Sequence, residues 1–351
     1  MIAGGSAATT AGVREMRDGL LVLVEERIVE FLATERTRWA RVSPAAATPV
    51  EAVLDLVSSG GKRVRPAFCL TGYLAGGGDP QDPRIVAAAA GLELLHTCAL
   101  LHDDIMDEST HRRGVPTAHT RQTEEHRISG WQGDSRRYGE SVAILAGDLA
   151  LIYADQFMSA VPTRIQRQWA HLRAELVIGQ HMDVRAAAES TVDPELSRWI
   201  AVTKSGHYTI HRPLAVGAAL AGRDDLVDAF ATFGVAVGQA FQLRDDLIDA
   251  FGDAGVSGKP AGLDFEQHKM TLLVALAAQR RHEVHDLVIS PEPDLDRLRS
   301  LLVTTGIRAE MERLIDDLVG QGLRAVENAP IPRPWRDELA AMARQVAYRD
   351  R

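Results

Sequence analysis

Apolar and polar positions along this chain follow the helical repeat almost everywhere, and the period-two alternation of a strand is nowhere sustained. The pattern predicts an amphipathic helix from Val13 to about Trp39, interrupted at Ser43-Pro44. A short helix from Pro49 to Val57 follows and ends at Ser58-Ser59-Gly60-Gly61. Lys62-Arg63-Val64-Arg65-Pro66 opens the next helix, joining paired glycines to three cations and a proline suited to a first helical turn. Such a junction can wrap an anion. Gly76-Gly77-Gly78-Asp79-Pro80 closes that helix, and the run Val86 to Leu101 is apolar nearly all round, the mark of a buried one. Residues 117–138 are polar and patternless, and a surface loop is expected there. Helical spacing returns from Glu140 to Val161 and from Pro162 to Ala188, with Pro194 starting another helix. Lys204-Ser205-Gly206-His207-Tyr208 and Arg212-Pro213 then predict a break or kink. A second apolar helix spans Leu226 to Ile248 and stops near Gly252. Lys269 and Thr271 begin the next, and further helices fill Glu283 to Val326 and the chain beyond Pro334. The expectation is an all-α protein, with residues 1–12 disordered and residues 13–351 forming a single domain, since no linker rich in Gly, Pro or Ser divides it.

Both apolar helices end in acid. Asp103, Asp104 and Asp107 form a D-D-x-x-D string at the carboxyl end of the first, and Asp245, Asp246 and Asp249 repeat it at the end of the second. Helical spacing crowds each set onto one face, and the helix dipole disfavours negative charge at that end. Two penalties point to one remedy, a cation, and hard oxygen donors favour magnesium or calcium. A third D-D-x-x-D, at Asp224, Asp225 and Asp228, opens its helix instead of closing it. There carboxylates cap free N–H groups and the dipole welcomes them, and the far end of the helix is roughly 30 Å away. No catalysis is expected of these three.

Composition narrows the classes. The chain of 351 residues is 46% hydrophobic, enough for a large core, and carries a net charge of −9 from 39 basic and 48 acidic residues. A general nucleic-acid or anionic-membrane binder is thereby disfavoured, so any anion site must be local. Cys69 and Cys98 both lie in apolar runs and read as two buried small side chains in a reducing compartment. The apolar run Leu20 to Val24 stops at Glu25-Glu26, too short for a signal or a membrane span, so a cytoplasmic protein without stable membrane insertion is expected.

Taken in order, Gly60-Gly61-Lys62-Arg63-x-Arg65-Pro66, His96, Asp103-Asp104-x-x-Asp107, Arg112-Arg113, Lys204, Gln242-x-x-Asp245-Asp246-x-x-Asp249 and Lys259 make the chain resemble the trans-isoprenyl diphosphate synthases, from about Val50 to Lys269. The resemblance implies an all-α bundle of the isoprenoid synthase type with a deep central cavity, usually in a homodimer. It implies head-to-tail condensation of isopentenyl diphosphate with an allylic diphosphate, assisted by magnesium, three ions per active site. By resemblance Asp103, Asp104, Asp107, Asp245 and Asp249 hold metal, and Asp246 joins the catalytic set. Arg112, Lys204, Gln242 and Lys259 contact the allylic diphosphate, with Ser205 where relatives usually carry threonine. Lys62, Arg65, His96 and Arg113 match the isopentenyl diphosphate site. Taken singly, a lysine or arginine near a helix start is most often solvated, a helical histidine is most often a core residue, and Arg112 and Arg113 could simply neutralise the helix end beside them.

Product length is read from the residues one turn before Asp103. Relatives that stop at fifteen carbons commonly carry bulky aromatics where this chain has Cys98 and Ala99, and Leu95 lies one turn further back. Many bacterial farnesyl diphosphate synthases also have four residues between the second and third acids, not two. Both departures favour geranylgeranyl diphosphate, the alternatives being farnesyl or longer polyprenyl products. A class I terpene cyclase is opposed by the second acidic string and the Gly-Gly-Lys-Arg motif. A metal phosphohydrolase built on His102-Asp103 would need further histidines at helical spacing, and intact acidic clusters disfavour a catalytically silent partner subunit.

Overall fold

The computed structural model describes residues 9–252, 262–290 and 294–349. These fall into two compact units, one formed by residues 17–70 and 79–166 and the other by the described residues among 9–16, 71–78 and 167–349.

In chain order the helices of the first part are α1 (Thr10–Ala40), α2 (Thr48–Ser58), α3 (Val64–Ala75), α4 (Pro83–Met106), α5 (Ala118–Ile128) and α6 (Ser135–Met158). The first unit is built on α6, against which α2, α4 and α5 all pack. Its core holds Leu20, Val24, Ile28 and Leu32 of α1, spaced as one helical face, together with Leu92, Leu94 and Leu101 of α4. Two corrections to the sequence reading arise here. Helix α1 starts at Thr10, inside the stretch expected to be disordered, because the Thr9 hydroxyl accepts the Gly12 amide and satisfies an otherwise orphaned donor. The supposed loop 117–138 contains α5. Its sequence AHTRQTEEHRI hides the helix because only Ala118 and His126 are buried. An aromatic knot of His126, Trp131 and Tyr138 then folds it back toward α6.

The second unit contains α7 from residue 167 onward (α7, Thr163–Glu189), then α8 (Pro194–Ile200), a π-helical stretch Ala201–His211, α9 (Arg212–Leu220) and α10 (Val227–Phe251). After these come α11 (Leu263–Glu266), α12 (Leu272–Arg280), α13 (His282–Val288), α14 (Leu295–Thr304), α15 (Ile307–Glu327) and α16 (Arg333–Ala347). Here α10 is the spine, flanked by the π stretch and α15. The expected break near Lys204 is absent: the chain stays helical but widens to π geometry, which absorbs the proline at the start of α9. Close approach demands small residues at this crossing, since a Cβ on Gly238 would lie 2.4 Å from the Gly206 Cα. The third acidic string opens α10 as expected, although Asp225 uses its carboxylate on Arg223 and not on a helical N–H.

The all-α expectation is met. The described β structure is a two-residue hairpin pair, His111–Arg112 with Val115–Pro116. By length and composition α4, α6 and the segment Asp224–Phe251 could each cross a membrane, and 67%, 44% and 61% of their apolar windows are buried inside the protein. For α4 and α10 that apolarity is core. Helix α6 keeps Ile144, Leu145 and Ile152 exposed.

Candidate active site

The first charged constellation lies in the first unit, at the carboxyl end of α4. The helix stops at Met106, and Asp107 caps it through its amide to the Asp103 carbonyl, 2.8 Å. Asp104 is buried, and Arg112 of the hairpin donates to it from Nε at 2.8 Å and from Nη2 at 2.7 Å. Asp103 and Asp107 remain half-buried. So the arginine expected to meet a diphosphate here neutralises the most buried acid of its own cluster.

Two turns back, His96 sits among four guanidinium groups. Burial and the charges of Arg65, Arg112, Arg113 and Arg63 hold its imidazole well below the usual histidine range, hence neutral. Arg113, in the left-handed region at φ +53°, donates to the Ser59 hydroxyl at 3.1 Å and to the Gly60 carbonyl, both neutral acceptors. Burial and its fellow cations Arg112 and Arg63 press its own pKa down. The paired glycines make this packing possible: a Cβ on Gly61 would meet Arg113 Nη2 at 2.9 Å. Lys62 is exposed on the same junction, and Arg65 is half-buried on α3. Arg63, given no role from sequence, is the anchor of the loop. It binds Glu25 at 2.7 Å, Glu93 at 2.5 Å and the Val57 carbonyl at 2.7 Å. The three chain-length candidates differ in setting. Leu95 and Cys98 are buried, and the Cys98 thiol, pushed up to about 12 by burial, faces His102 Nδ1 at 3.9 Å. Ala99 is half-exposed, on the helical face shared by His96 and Asp103. His102 itself contacts the Ile144 carbonyl at 3.1 Å, a packing role that leaves no support for a His-Asp hydrolase centre.

The second constellation lies in the second unit, at the carboxyl end of α10. Asp246 is buried, accepts from Gln242 Nε2 at 2.8 Å, and has its pKa pushed up to about 8 by burial and by the neighbouring charge of Asp264. Asp249 is pushed up to about 7 by burial and by the same Asp264, whose amide it accepts at 3.1 Å. Lys204, on the π stretch beside half-buried Ser205, binds Asp183 Oδ2 at 2.7 Å. Lys269 faces Asp264 at 3.5 Å. Asp245 is paired with Arg349, which also lies over the Phe241 ring at 4.2 Å. Lys259 lies outside the described residues. Asp183, Asp264 and Arg349 were missed from sequence. Asp264 stood five residues before Lys269 without a helical context to place it, and Arg349 is more than 100 residues from its partner, beyond any spacing argument.

The donor set fits magnesium. Asp246 and Asp249 bear the cost of burial and of the neighbouring charge of Asp264, which Lys269 offsets only in part, and carboxylate oxygens are the ligands that hard divalent ions prefer. In the first constellation Asp103 and Asp107 present the same chemistry beside the Arg112 pair.

A sequence profile of the family described as Polyprenyl synthetase matches residues 48–301. The chain belongs to that family. Polyprenyl synthetases of known structure share its fold: the geranylgeranyl pyrophosphate synthase from Corynebacterium glutamicum, solved with isoprenyl diphosphate and magnesium, is 34% identical with a TM-score of 0.87. The match covers 94% of this chain and 98% of that one. Among curated relatives, the geranylfarnesyl diphosphate synthase of Aeropyrum pernix is 31% identical over 81% of this chain and 86% of its own. The nonaprenyl diphosphate synthase of Mycobacterium tuberculosis is 30% identical over 78% and 76%. This polyprenyl synthetase is thus an enzyme, an isoprenyl diphosphate synthase of the prenyltransferase class, whose relatives differ widely in product length.

Proposed function

We propose that this enzyme condenses isopentenyl diphosphate head-to-tail with an allylic diphosphate and releases geranylgeranyl diphosphate, working as a cytoplasmic homodimer with three magnesium ions per active site. The observation that carries the reading is the pair of opposite charge imbalances. Arg113, bonded to two neutral acceptors beside a neutral histidine and pressed by its fellow cations, calls for an anion, and Asp246, Asp249 and Asp264 converge on one another, which calls for a cation.

In this reading Arg113, Arg65, Lys62 and His96 hold isopentenyl diphosphate by charge-assisted hydrogen bonds, His96 as a neutral donor and the others as cations. Arg63 keeps their loop in place through Glu25 and Glu93. Asp103, Asp104, Asp107, Asp245 and Asp249 are the magnesium ligands, and bound magnesium would offset the charge that develops on the departing diphosphate. Lys204, Gln242, Arg112 and Lys259 orient the allylic diphosphate. The allylic C–O bond breaks, the isopentenyl double bond attacks the resulting cation, and the released diphosphate takes the proton. No side-chain nucleophile is required.

The small residues Cys98 and Ala99 support a product longer than fifteen carbons. Of the two, Ala99 shares the face of Asp103, whereas Cys98 is turned against His102. Ala99→Phe should therefore shorten the product more than Cys98→Phe, read by chromatography of the dephosphorylated alcohols. Equal or absent effects in both variants would remove the pocket assignment. The exposed apolar stripe of Leu145, Ile144 and Ile152 on α6 supports a dimer interface, and both cysteines being free is compatible with a reducing compartment. Incubation with labelled isopentenyl diphosphate, each allylic primer and magnesium tests the whole reading. A twenty-carbon diphosphate supports it, a longer chain corrects the product alone, and cyclic hydrocarbon or no elongation overturns the reaction. Light scattering reads the oligomer.

A further inference from the structure

Helix α13 carries a second cluster of ligating side chains. His282, His285 and Asp286 are spaced three and four apart, which places them on one helical face. The two imidazoles are stacked, with centroids 5.6 Å apart and planes within 18°. Asp286 Oδ1 lies 3.7 Å from His282 Nε2 and 3.9 Å from His285 Nδ1, and the donor atoms of all three residues fall within 4.8 Å of one another. Those separations are too long for hydrogen bonds. They are close to the roughly 3.4 Å edge of a tetrahedron whose centre lies about 2.1 Å from each ligand.

An independent observation aims one imidazole into the cluster. His285 Nε2 donates to the Ser190 carbonyl at 3.3 Å, which makes Nδ1 the nitrogen that the neutral ring offers as a ligand. Nδ1 is buried and has no hydrogen-bond partner of its own. A ring nitrogen donating to a backbone carbonyl while its opposite nitrogen faces other ligands is the arrangement that orients histidine toward metal. Two imidazoles and one carboxylate suit a zinc-class ion, in contrast to the all-oxygen acids of the proposed catalytic clusters.

We propose that His282, His285 and Asp286 form a divalent transition-metal site on the surface of α13, with His285 oriented by the Ser190 carbonyl of the segment following α7. The site does not depend on the isoprenoid reading, because none of its three ligands belongs to that machinery.

The test uses the full chain with magnesium held at saturation and cobalt(II) as the probe. One equivalent of cobalt should give the visible d–d bands of four-coordinate, nitrogen-ligated cobalt, and zinc should displace it. His282→Ala and Asp286→Asn, both at exposed side chains, should each weaken binding by about tenfold or more while the metal-free melting temperature stays unchanged. Absence of these bands at one equivalent overturns the site. So does weak six-coordinate absorption that persists in His282→Ala, which would place the cobalt on oxygen ligands elsewhere.

Discussion

The carboxyl ends of α4 and α10 carry the same D-D-x-x-D string, yet the protein treats the two differently. At α4 the buried acid, Asp104, is matched by a guanidinium eight residues on. At α10 the buried acid, Asp246, gets only a carboxamide from Gln242 and a third carboxylate, Asp264, for a neighbour. Identical strings acquire different electrostatics from what the surrounding chain brings to them. The α10 end carries the heavier burden without a cation and is the one whose metal binding should be tied most closely to pH.

The largest expected effect separates stability from activity. Asp246→Asn should lower magnesium-dependent turnover by about a hundredfold to a thousandfold. It should also raise the melting temperature of the metal-free protein at pH 8. The sign follows from the folded pKa of about 8 lying above the unfolded value of about 4. Such a group contributes its full stabilisation below the unfolded pKa, and that contribution is lost progressively as pH rises from about 4 through 8. A melting temperature at pH 8 that falls in the variant would contradict the burden assigned to α10.

Next comes the α4 end. Arg112→Ala leaves Asp104 buried without its cation and should destabilise the fold by about 3 kcal/mol, measured by urea unfolding. Little change in the unfolding midpoint would mean that Asp104 does not rely on Arg112.

A smaller effect concerns linkage. With Asp246 near 8 and Asp249 near 7, magnesium must expel protons at neutral pH, so its affinity should rise between pH 6 and 8 by up to about tenfold per unit for each proton released. Calorimetry in buffers of different ionisation enthalpy counts those protons, and Asp246→Asn should flatten the profile. Smallest is Arg349→Ala. Removing the cation beside Asp245 should tighten magnesium binding a few-fold, and an unchanged affinity would show that Arg349 yields to the metal at no cost.

Much of this was legible along the chain because helical periodicity and helix-end acids are local signals. The apolar runs behind α4 and α10 announced buried helices, and position at the helix end separated the two carboxyl-terminal strings from the third. Polar α5 escaped because only Ala118 and His126 face inward, too few to make a stripe. The π stretch escaped because glycine and proline weigh against an α-helix in sequence, whereas here close contact with α10 keeps the backbone helical in a wider form.

What the amino-acid order determined by itself was the helical class, the two acid-tipped helices and the basic junction at Gly60-Gly61. Each rests on neighbours within a few turns. Tertiary structure alone placed Arg63 between Glu25 and Glu93, Asp264 against Asp246 and Asp249, and Arg349 on Asp245, and it chose Asp104 as the acid that Arg112 neutralises. Coulomb energy depends on distance through space and on burial, and neither can be read from separation along the chain.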